Sequence, residues 1–407
     1  MPLTSQRFLA LSAHRLRTFG KHLIYLLGCL TFKPIILIRR RLLGTEIMPG
    51  RILYVCLAQR GDFILALPVL AEIKRHFPQS HITCWVRGFN RRLTDLNSAV
   101  DQVLVYDGFS PSGAGAITEL MRIRQHRSLL QKLRDGGFTL LIDDSGAGFT
   151  SLMGALARIP TRIGRNSQGY GFLNHFDFAA DSNGQLLQKR LKLLQPLGIV
   201  PRDCQTVRNA IAVGDSLSTR CRERYGLRRH GYLTVQPIGG WRAKSWPASH
   251  VTVFVSGISR QTGLLPVLLG AAGERDDLES IGANSDVDYL NLAGELELDE
   301  LAAVIADSAI HFGIDSVGSH MACALGTKSL TIFGPTNPRI SHSSSRDNIA
   351  VFKRTSCTPK PDEQYCCFDA GRTCPVQANM GELRAEEVLP IALELLNSKN
   401  QLSLYEL

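Results

Sequence analysis

The stretch RILYVCLAQRGDFILALPVL (51–70) decides the fold, because it joins an apolar run to a polar turn and a second apolar segment. Residues 52–58 are apolar throughout and predict a strand, and residues 64–77 predict a helix that ends before Pro78. A strand that is apolar at every position, rather than at alternate ones, is typical of a parallel sheet buried on both faces. The folded part of the chain therefore opens with a βα unit, which indicates an α/β fold.

The same alternation of strand and helix continues in two separate series. The first series adds three predicted strands: HITCWV (81–86), QVLVYD (102–107) and TLLID (139–143). The second series adds five: YLTVQPIGG (232–240), LLPVLLGA (264–271), YLNLAG (289–294), AIHFGID (309–315) and KSLTIFG (328–334). Helices are predicted at 298–306, 319–325 and 382–396. Two βα series predict two doubly wound, Rossmann-like domains that face each other across a cleft.

We divide the chain into four segments on this basis. Residues 1–50 are an extension, residues 51–215 the first domain, residues 216–381 the second, and residues 382–407 a closing helix and tail. Because ligands of doubly wound sheets bind at the carboxyl ends of the strands, residues that follow strands are the candidates for chemistry.

The N-terminal extension carries most of the positive charge. The chain has a formal net charge of +10, and residues 1–50 hold eight Lys and Arg against one acid, which leaves +3 for the rest. The apolar run 23–38 is broken by Lys33 and Pro34, whereas a membrane span needs about 20 apolar residues. We expect the extension to lie in the interface of an anionic membrane; the alternatives are a true span and a leader without function. The nearly neutral remainder argues against nucleic-acid binding.

The polar turn Gln59-Arg60-Gly61-Asp62 follows the first predicted strand directly. A carboxylate at the mouth of the cleft can accept a proton from a hydroxyl nucleophile, which makes Asp62 a candidate general base. Acidic residues also cap helices commonly. The alternative is therefore that Asp62 is only the N-cap of a helix beginning at residue 63 or 64.

A Gly-Gly turn follows the first strand of the second domain. In PIGGWRAKSWP (237–247), Gly239 and Gly240 expose bare backbone amides, and Lys244 comes four residues after them. Such amides and one ammonium can cradle a diphosphate. The alternative is that both glycines are simple turn residues.

A second candidate anion site is GIDSVGSH (313–320), where a strand, a tight loop and a helix N-terminus follow one another. Exposed N–H groups and the helix dipole favour an anion at this position. Asp315 can accept hydrogen bonds from sugar hydroxyls, and His320 lies within reach of a phosphate. A buried structural role for His320 is the alternative.

Together these motifs resemble the ADP-heptose:lipopolysaccharide heptosyltransferases of glycosyltransferase family 9. The resemblance runs from residue 51 to about residue 339 and rests on three segments: RILYVCLAQRGDFILALPVL (51–70), VQPIGGWRAKSWP (235–247) and LAGELELDELAAVIADSAIHFGIDSVGSHMACALGTKSLTIFGPTNP (292–338). It implies a GT-B fold, inverting transfer of heptose from ADP-heptose to the lipopolysaccharide core, and no required cofactor. It also implies a peripheral bacterial enzyme at the cytoplasmic face of the inner membrane, whose partners are a nucleotide sugar and a lipid-linked glycan.

The roles of the family's residues carry over by position. Asp62 matches the proposed catalytic base, and Lys244 matches the lysine on the donor phosphates, which we also count as catalytic. The other donor-binding positions implied by the resemblance are Gly239 and Gly240 on the phosphates, Glu274 on the ribose hydroxyls, Asp315 on the sugar, and Ser316, Val317, Gly318 and His320 in the phosphate loop.

One position departs from the family's pattern. The family usually has glycine where this chain has Val317, and Gly318 follows one place later. Valine resists the positive φ that glycine permits. We therefore expect either a loop shifted by one residue or a donor that binds differently.

The acceptor side is predicted from arginines of the first domain, which can grip an acidic or phosphorylated sugar. The candidates are Arg122, Arg124, Arg127, Arg158 and Arg165. A solvated helix face is the alternative, because charge runs are commonly solvated.

Four of the ten cysteines crowd near the C-terminus, namely Cys357, Cys366, Cys367 and Cys374. The resemblance implies that cysteines also occur in this region of relatives, some of which bind a metal there. No C-x-x-C pair is present, so we expect reduced thiols rather than a metal site.

Three other functions remain to be weighed. A family member with another nucleotide-sugar donor, or with a protein acceptor, is the nearest alternative. A non-catalytic, membrane-docked scaffold is disfavoured because Asp62, Lys244, Asp315 and His320 are all retained. A Rossmann dehydrogenase is weaker, because Ser151 stands where the third glycine of its fingerprint belongs.

Overall fold

A computed structural model describes residues 27–28, 30–31, 34, 49–108, 123–165, 170–178, 185–200, 210–342, 347–353, 378–397 and 403–407. The strands are β1 (Arg51–Val55), β2 (His81–Val86), β3 (Gln102–Val105), β4 (Leu140–Asp143), β5 (Thr161–Arg165), β6 (Phe176–Phe178), β7 (Tyr232–Gln236), β8 (Leu265–Leu268), β9 (Leu290–Asn291), β10 (Ile310–Ile314), β11 (Ser329–Phe333), β12 (Asn348–Phe352) and β13 (Leu404–Glu406).

Helices alternate with these strands along the chain. The α-helices are α1 (Arg60–Ile64), α2 (Leu67–His76), α3 (Arg91–Asp95), α4 (Arg127–Asp135), α5 (Gly148–Leu156), α6 (Leu186–Leu191), α7 (Asp215–Tyr225), α8 (Ala248–Thr262), α9 (Arg275–Ala283), α10 (Leu298–Ala306), α11 (Val317–Leu325), α12 (Pro338–Ser341), α13 (Ala378–Gly381) and α14 (Ala385–Leu396). Short 3₁₀ turns lie at Gly88–Asn90, Ile123–His126, Gly171–Leu173, Lys192–Leu197, Arg242–Lys244 and Ala272–Glu274.

The strands form two fully parallel sheets with the same winding. The first sheet has the order β3-β2-β1-β4-β5-β6, and the second has the order β13-β12-β11-β10-β7-β8-β9. In each sheet the first strand of its series lies between the second and the fourth, so the order reverses between β1 and β4 and again between β7 and β10. This is the doubly wound order of Rossmann-like sheets, and it confirms the predicted α/β fold.

Strand β1 shows why the sequence reads as a continuous apolar run. Ile52 and Tyr54 pack into one hydrophobic cluster, whereas Leu53 and Val55 pack into another on the opposite face of the sheet. All four side chains are fully buried. Burial of one such side chain stabilises a fold by about 1.5–3 kcal/mol, so helices on both faces are needed to cover the strand.

The predicted helix at 64–77 is wrong in its bounds. Ile64 is instead the last residue of α1, and α2 begins at Leu67, after Leu65 and Ala66. Pro68 stands in the first turn of α2. Because proline has no N–H and is best tolerated in the first turn of a helix, its position at residue 68 favours a helix that begins again just before it. The break leaves α1 as a separate helix of five residues.

The two sheets belong to halves of the molecule that touch each other. One buried apolar cluster takes Ile64 and Leu67 from the first half and Ala303 and Ala322 from the second. The predicted boundary between residues 215 and 216 falls at the start of α7. The predicted closing segment, 382–407, contains α14 and the strand β13, which pairs with β12.

The predicted extension, 1–50, lies almost wholly outside the described residues. Of the helices in the described ranges, none is both long and apolar enough to cross a bilayer. Attachment of the extension to a membrane therefore stays a prediction.

Candidate active site

The polar residues of interest follow the strands that flank the two points of reversed order. Asp62 follows β1 and Asp144 follows β4 directly, whereas Gly239 follows β7 and Asp315 follows β10 directly. Carboxyl ends of parallel strands meet at one edge of a sheet, and ligands of such sheets bind at the reversal. The topology thus places candidate residues of both halves where a bound ligand is expected.

Asp62 occupies the first turn of α1, and its side chain is exposed. The helix begins at Arg60 with Gln59 as N-cap, and the Gln59 side chain makes no capping hydrogen bond. The interpretation of Asp62 as an N-cap of a helix starting at residue 63 or 64 is therefore wrong. The main-chain carbonyl of Asp62 accepts a hydrogen bond from the Arg190 guanidinium.

Asp315 is the centre of a charged cluster in the second half. Its Oδ2 accepts hydrogen bonds from Lys244 Nζ at 2.7 Å and Thr336 Oγ1 at 2.8 Å, and its Oδ1 lies 3.3 Å from His320 Nε2. Burial alone would raise the pKa of Asp315, but the hydrogen bond from His320 and the charge of Lys244 hold that pKa well below its ordinary value. Asp315 is therefore a buried anion whose negative charge is balanced by the neighbouring ammonium of Lys244.

The loop that follows Asp315 is the N-terminus of α11. Ser316 is the N-cap, and Val317 is the first helical residue. Neither Val317 nor Gly318 has a positive φ, so valine meets no backbone strain here. Gly318 is needed for space, because a Cβ there would lie 2.3 Å from Gln236 Oε1 and 2.9 Å from His311 Cε1. The expectation of a shifted loop assumed a positive φ at Val317, which the loop does not have.

The remaining donor-side candidates lie at the ends of β7 and β8. A Cβ on Gly239 would lie 3.0 Å from Ile314 Cδ1, whereas a Cβ on Gly240 would have nothing within 4 Å. Lys244 stacks over the Trp241 ring at 5.1 Å from its centroid. Glu274 Oε2 accepts a hydrogen bond from Ala271 N at 2.7 Å, so its carboxylate folds back on its own turn.

The two halves meet at Gly61 and His320. A Cβ on Gly61 would lie 2.8 Å from His320 Cδ2, closer than side chains tolerate. Gly61 precedes Asp62, and His320 contacts Asp315. The helix that carries the candidate base therefore lies directly against the candidate phosphate loop.

The family model described as glycosyltransferase family 9 (heptosyltransferase) matches residues 126–367. The chain belongs to glycosyltransferase family 9. It is therefore a glycosyltransferase, and the matched range includes Lys244, Asp315 and His320. Asp62 precedes that range, so its role rests on the geometry of β1 and α1.

Relatives of this family 9 enzyme include two proteins of Escherichia coli K12. Lipopolysaccharide heptosyltransferase 3 is 25% identical over 288 residues, which cover 68% of this chain and 80% of that protein. Lipopolysaccharide heptosyltransferase 2 is 24% identical over 295 residues, which cover 68% and 81%. The solved structure of E. coli ADP-heptose lps heptosyltransferase II matches with a TM-score of 0.70 at 18% identity, covering 86% of this chain and 99% of that one. The fold is thus of the GT-B type seen in that neighbour.

Of the acceptor candidates that the structure describes, Arg158 lies apart from Arg165 and Arg127. Arg165 ends β5 at the carboxyl edge, and its Nη2 lies 3.2 Å from Asp144 Oδ1. Arg127 is exposed at the start of α4. Arg158 is exposed and has a φ of 61° in the turn between α5 and β5, which is the opposite edge of the sheet. Arg124 stands in a 3₁₀ turn, and Arg122 lies outside the described residues.

Sequence reasoning missed four residues that the structure places at the site. Asp144 and Arg190 form a buried ion pair beneath α1, and Gln236 and Thr336 bind the loop around Asp315. Asp144 could have been found, because it directly follows the predicted strand 139–143. Arg190 and Thr336 carry no such signal, because they reach the site through the fold rather than through a motif.

The part of the chain that the structure describes holds no group of three or more His, Cys, Asp or Glu residues placed to bind a metal ion. Cys357, Cys366, Cys367 and Cys374 lie outside the described residues, so the prediction about them stays open. The described cysteines Cys56, Cys84, Cys221 and Cys323 are all buried.

Proposed function

We propose that this family 9 glycosyltransferase moves heptose from ADP-heptose to a hydroxyl of a lipopolysaccharide-core acceptor, with inversion at the anomeric carbon. The names of its relatives, lipopolysaccharide heptosyltransferases 2 and 3, support the sugar and the acceptor class. The observation that carries the mechanism is the contact of Gly61 with His320, because it joins the base helix to the phosphate loop.

In this mechanism Asp62 takes the proton of the acceptor hydroxyl. The hydroxyl oxygen then forms a bond to the anomeric carbon from the face opposite the leaving group, while the bond from that carbon to the diphosphate oxygen breaks. ADP leaves with the bonding electron pair, so negative charge develops on its phosphate. Lys244 and the N-terminus of α11 are placed to stabilise that charge, which is where a fixed positive field accelerates the reaction most.

Asp315 has room for one more hydrogen bond in this scheme. An ionised carboxylate offers about four acceptor positions. Three of these positions are occupied by Lys244, Thr336 and His320. A sugar hydroxyl can take the remaining position. Binding of a diphosphate near Lys244 would at the same time compete with Asp315 for the ammonium.

The decisive experiment incubates the purified protein with ADP-heptose and truncated lipid acceptors, and weighs the products. A mass gain of one heptose, with the anomeric configuration inverted by NMR, is the expected result. A parallel panel of other nucleotide sugars, and of protein acceptors, identifies a family member of different specificity. No transfer from any donor, with ADP still bound, would contradict the proposal and favour a non-catalytic scaffold.

We also propose that the extension holds the enzyme at the cytoplasmic face of the inner membrane as a peripheral protein. Its eight basic residues support this, since each contributes on the order of 1 kcal/mol near an anionic surface. Deletion of residues 1–48 should abolish sedimentation with anionic vesicles but leave transfer to a delipidated acceptor. Vesicle binding that survives both this deletion and high salt would refute the proposal.

A further inference from the structure

A buried ion pair lies directly beneath the base helix α1. Asp144 is fully buried, and its Oδ2 lies 2.9 Å from Nε of Arg190, whose side chain is 2% exposed. Arg165 approaches the other carboxylate oxygen at 3.2 Å. Burial alone would lower the pKa of Arg190, but the Asp144 carboxylate raises that pKa above its ordinary value. Buried pairs of this kind seldom add net stability, so a role other than stability is expected.

The neighbouring residue shows how the carboxylate of Asp144 is directed. Asp143 ends β4, and it accepts hydrogen bonds from Ser145 Oγ and Thr150 Oγ1, both at 2.6 Å. Successive side chains of a strand point to opposite faces. Asp143 therefore fixes the following loop on one face, while Asp144 is turned toward Arg190 on the other.

A second nitrogen of the Arg190 guanidinium binds the backbone of the candidate base. Its Nη1 donates a hydrogen bond to the main-chain carbonyl of Asp62. The helix α1 ends at Ile64, so that carbonyl is among the last four, which lack a helical N–H partner. A helix of five residues is too short to be stable alone. Arg190 therefore supplies a contact that α1 cannot supply for itself.

The helix that carries Arg190 also touches the other half of the molecule. Gln185, the N-cap of α6, donates from Nε2 to the main-chain carbonyl of His342 at 2.7 Å. His342 directly follows α12, and α12 follows Thr336, which binds Asp315. One six-residue helix thus connects the backbone of Asp62 with the segment that supports the donor-side carboxylate.

We propose that Arg190, held by Asp144, is a positioning residue that sets the place of Asp62 relative to the donor loop. The inference rests on the proposed function of Asp62 as the base. Arg190 does not touch substrate; it acts through the carbonyl of Asp62. Asp144 orients the guanidinium so that Nε forms the ion pair, while Nη1 donates a hydrogen bond to the carbonyl of Asp62 in α1.

The test compares Arg190→Lys with Asp144→Glu. Lysine keeps the positive charge but has only one nitrogen, so it cannot bind Asp144 and the Asp62 carbonyl in the same way. Glutamate keeps the negative charge but is longer by one methylene, so it displaces the guanidinium. Each variant should lower kcat about 10- to 100-fold, the scale expected for a catalytic group displaced by about 1 Å. The KM for the sugar donor and the calorimetric affinity for ADP should stay within about twofold, because ADP is expected to bind the second half.

A matched control is available in Arg162→Lys. Arg162 is a buried arginine of β5, whose Nε and Nη1 donate to the carbonyls of Leu173 at 2.9 Å and Ile159 at 2.6 Å. Like Arg190, it donates hydrogen bonds to main-chain carbonyls, but these carbonyls do not belong to α1. Its substitution should lower the melting temperature while kcat stays within about twofold, as for a purely structural residue.

A double-mutant cycle with Asp62→Asn separates the positioning role from the base itself. If Arg190 acts only through Asp62, adding Arg190→Lys to Asp62→Asn should lower kcat no further. Equal losses in both backgrounds, an unchanged kcat in both single variants, or loss of ADP binding in both would overturn the positioning role. Normal turnover in Asp62→Asn alone would refute the base, which is a different result.

Discussion

Lys244 and Asp315 form an ion pair in which the ammonium touches both the carboxylate, at 2.7 Å, and the main-chain carbonyl, at 3.2 Å. The Asp315 side chain is 7% exposed and the Lys244 side chain 20%, so solvent reaches the lysine more easily. The positive charge that we propose for the donor phosphates is thus balanced by the residue expected to hold the sugar. This pairing leads to two opposite predictions.

We expect Lys244→Ala to weaken ADP binding and to slow transfer. A charge-assisted hydrogen bond contributes about 1.5–3 kcal/mol, which corresponds to a roughly 10- to 150-fold loss of affinity. Calorimetric titration of ADP measures it. Unchanged affinity in a folded variant would remove Lys244 from the phosphate site. His320→Ala should act in the same direction but less strongly, because an imidazole ring offers fewer hydrogen-bond donors than an ammonium group.

We expect Asp315→Asn to separate nucleotide binding from transfer. The amide releases Lys244 from its anion, so ADP should bind as tightly as to the wild type, or several-fold tighter. Transfer should fall by about 10-fold or more, because the sugar loses a charged acceptor. ADP titration and steady-state kinetics on the same preparation check both parts. Weaker ADP binding would show that Asp315 supports the nucleotide rather than the sugar.

Asp62→Asn should lower kcat by at least about 100-fold, the scale of general base catalysis. The amide keeps the size of the side chain, and the Arg190 contact is made to the main chain, so α1 should stay in place. ADP affinity should not change. Turnover near the wild-type rate would return Asp62 to a purely structural role in α1.

The stability of the second half should fall in mild acid because of His311. Burial lowers the pKa of His311 to about 3. An unfolded histidine has a pKa of about 6.5, so the unfolded state binds the extra proton first as the pH falls. The free energy of unfolding should therefore decline from about pH 6.5 toward pH 3.

Replacement of His311 by Gln should remove part of this decline, because His342, whose pKa burial also lowers to about 3, remains. Urea unfolding at several pH values measures the difference. His250→Gln is a fitting control, because His250 is partly exposed and its Nε2 hydrogen-bonds the exposed carbonyl of Gly381. An equal slope in the His311 variant and the wild type would contradict the prediction.

Gly318→Ala should destabilise the phosphate loop, because the added methyl group would meet Gln236 at 2.3 Å. Overpacking of this kind costs about 1–3 kcal/mol. Gly240→Ala, where a Cβ meets nothing within 4 Å, is the matched control and should leave the free energy of unfolding nearly unchanged. Thermal unfolding of both variants tests this prediction. Equal melting temperatures for the two variants would contradict the predicted destabilisation by Gly318→Ala.

The sequence predicted those elements whose signal is local. Strand β2 and helix α10 have the predicted bounds, because each is a compact apolar pattern with clear ends. Strands β5, β6, β12 and β13 were not predicted. Of these, β6 and β13 have only three residues each, all partly buried or exposed. Short edge strands of that kind carry no periodicity for a sequence to display.

The site was predicted to the same degree and for the same reason. Asp62, Lys244 and Asp315 follow predicted strands, and the winding of the sheets places them at the reversals of strand order. Asp144 and Arg190 are 46 positions apart in the chain, and only the fold joins them. The departure at Val317 was visible in the sequence, but only the structure shows that the backbone there has no positive φ for valine to resist.

The contact between Gly61 and His320 bears on how such enzymes can diversify. Any side chain at position 61 would force the two halves apart, since even a methyl group would lie 2.8 Å from the imidazole. Gln59 and Arg60 are exposed beside it, so they can vary without altering that distance. Substitutions are therefore tolerated more readily at residues 59 and 60, whereas residue 61 is constrained to remain glycine as long as this contact is kept.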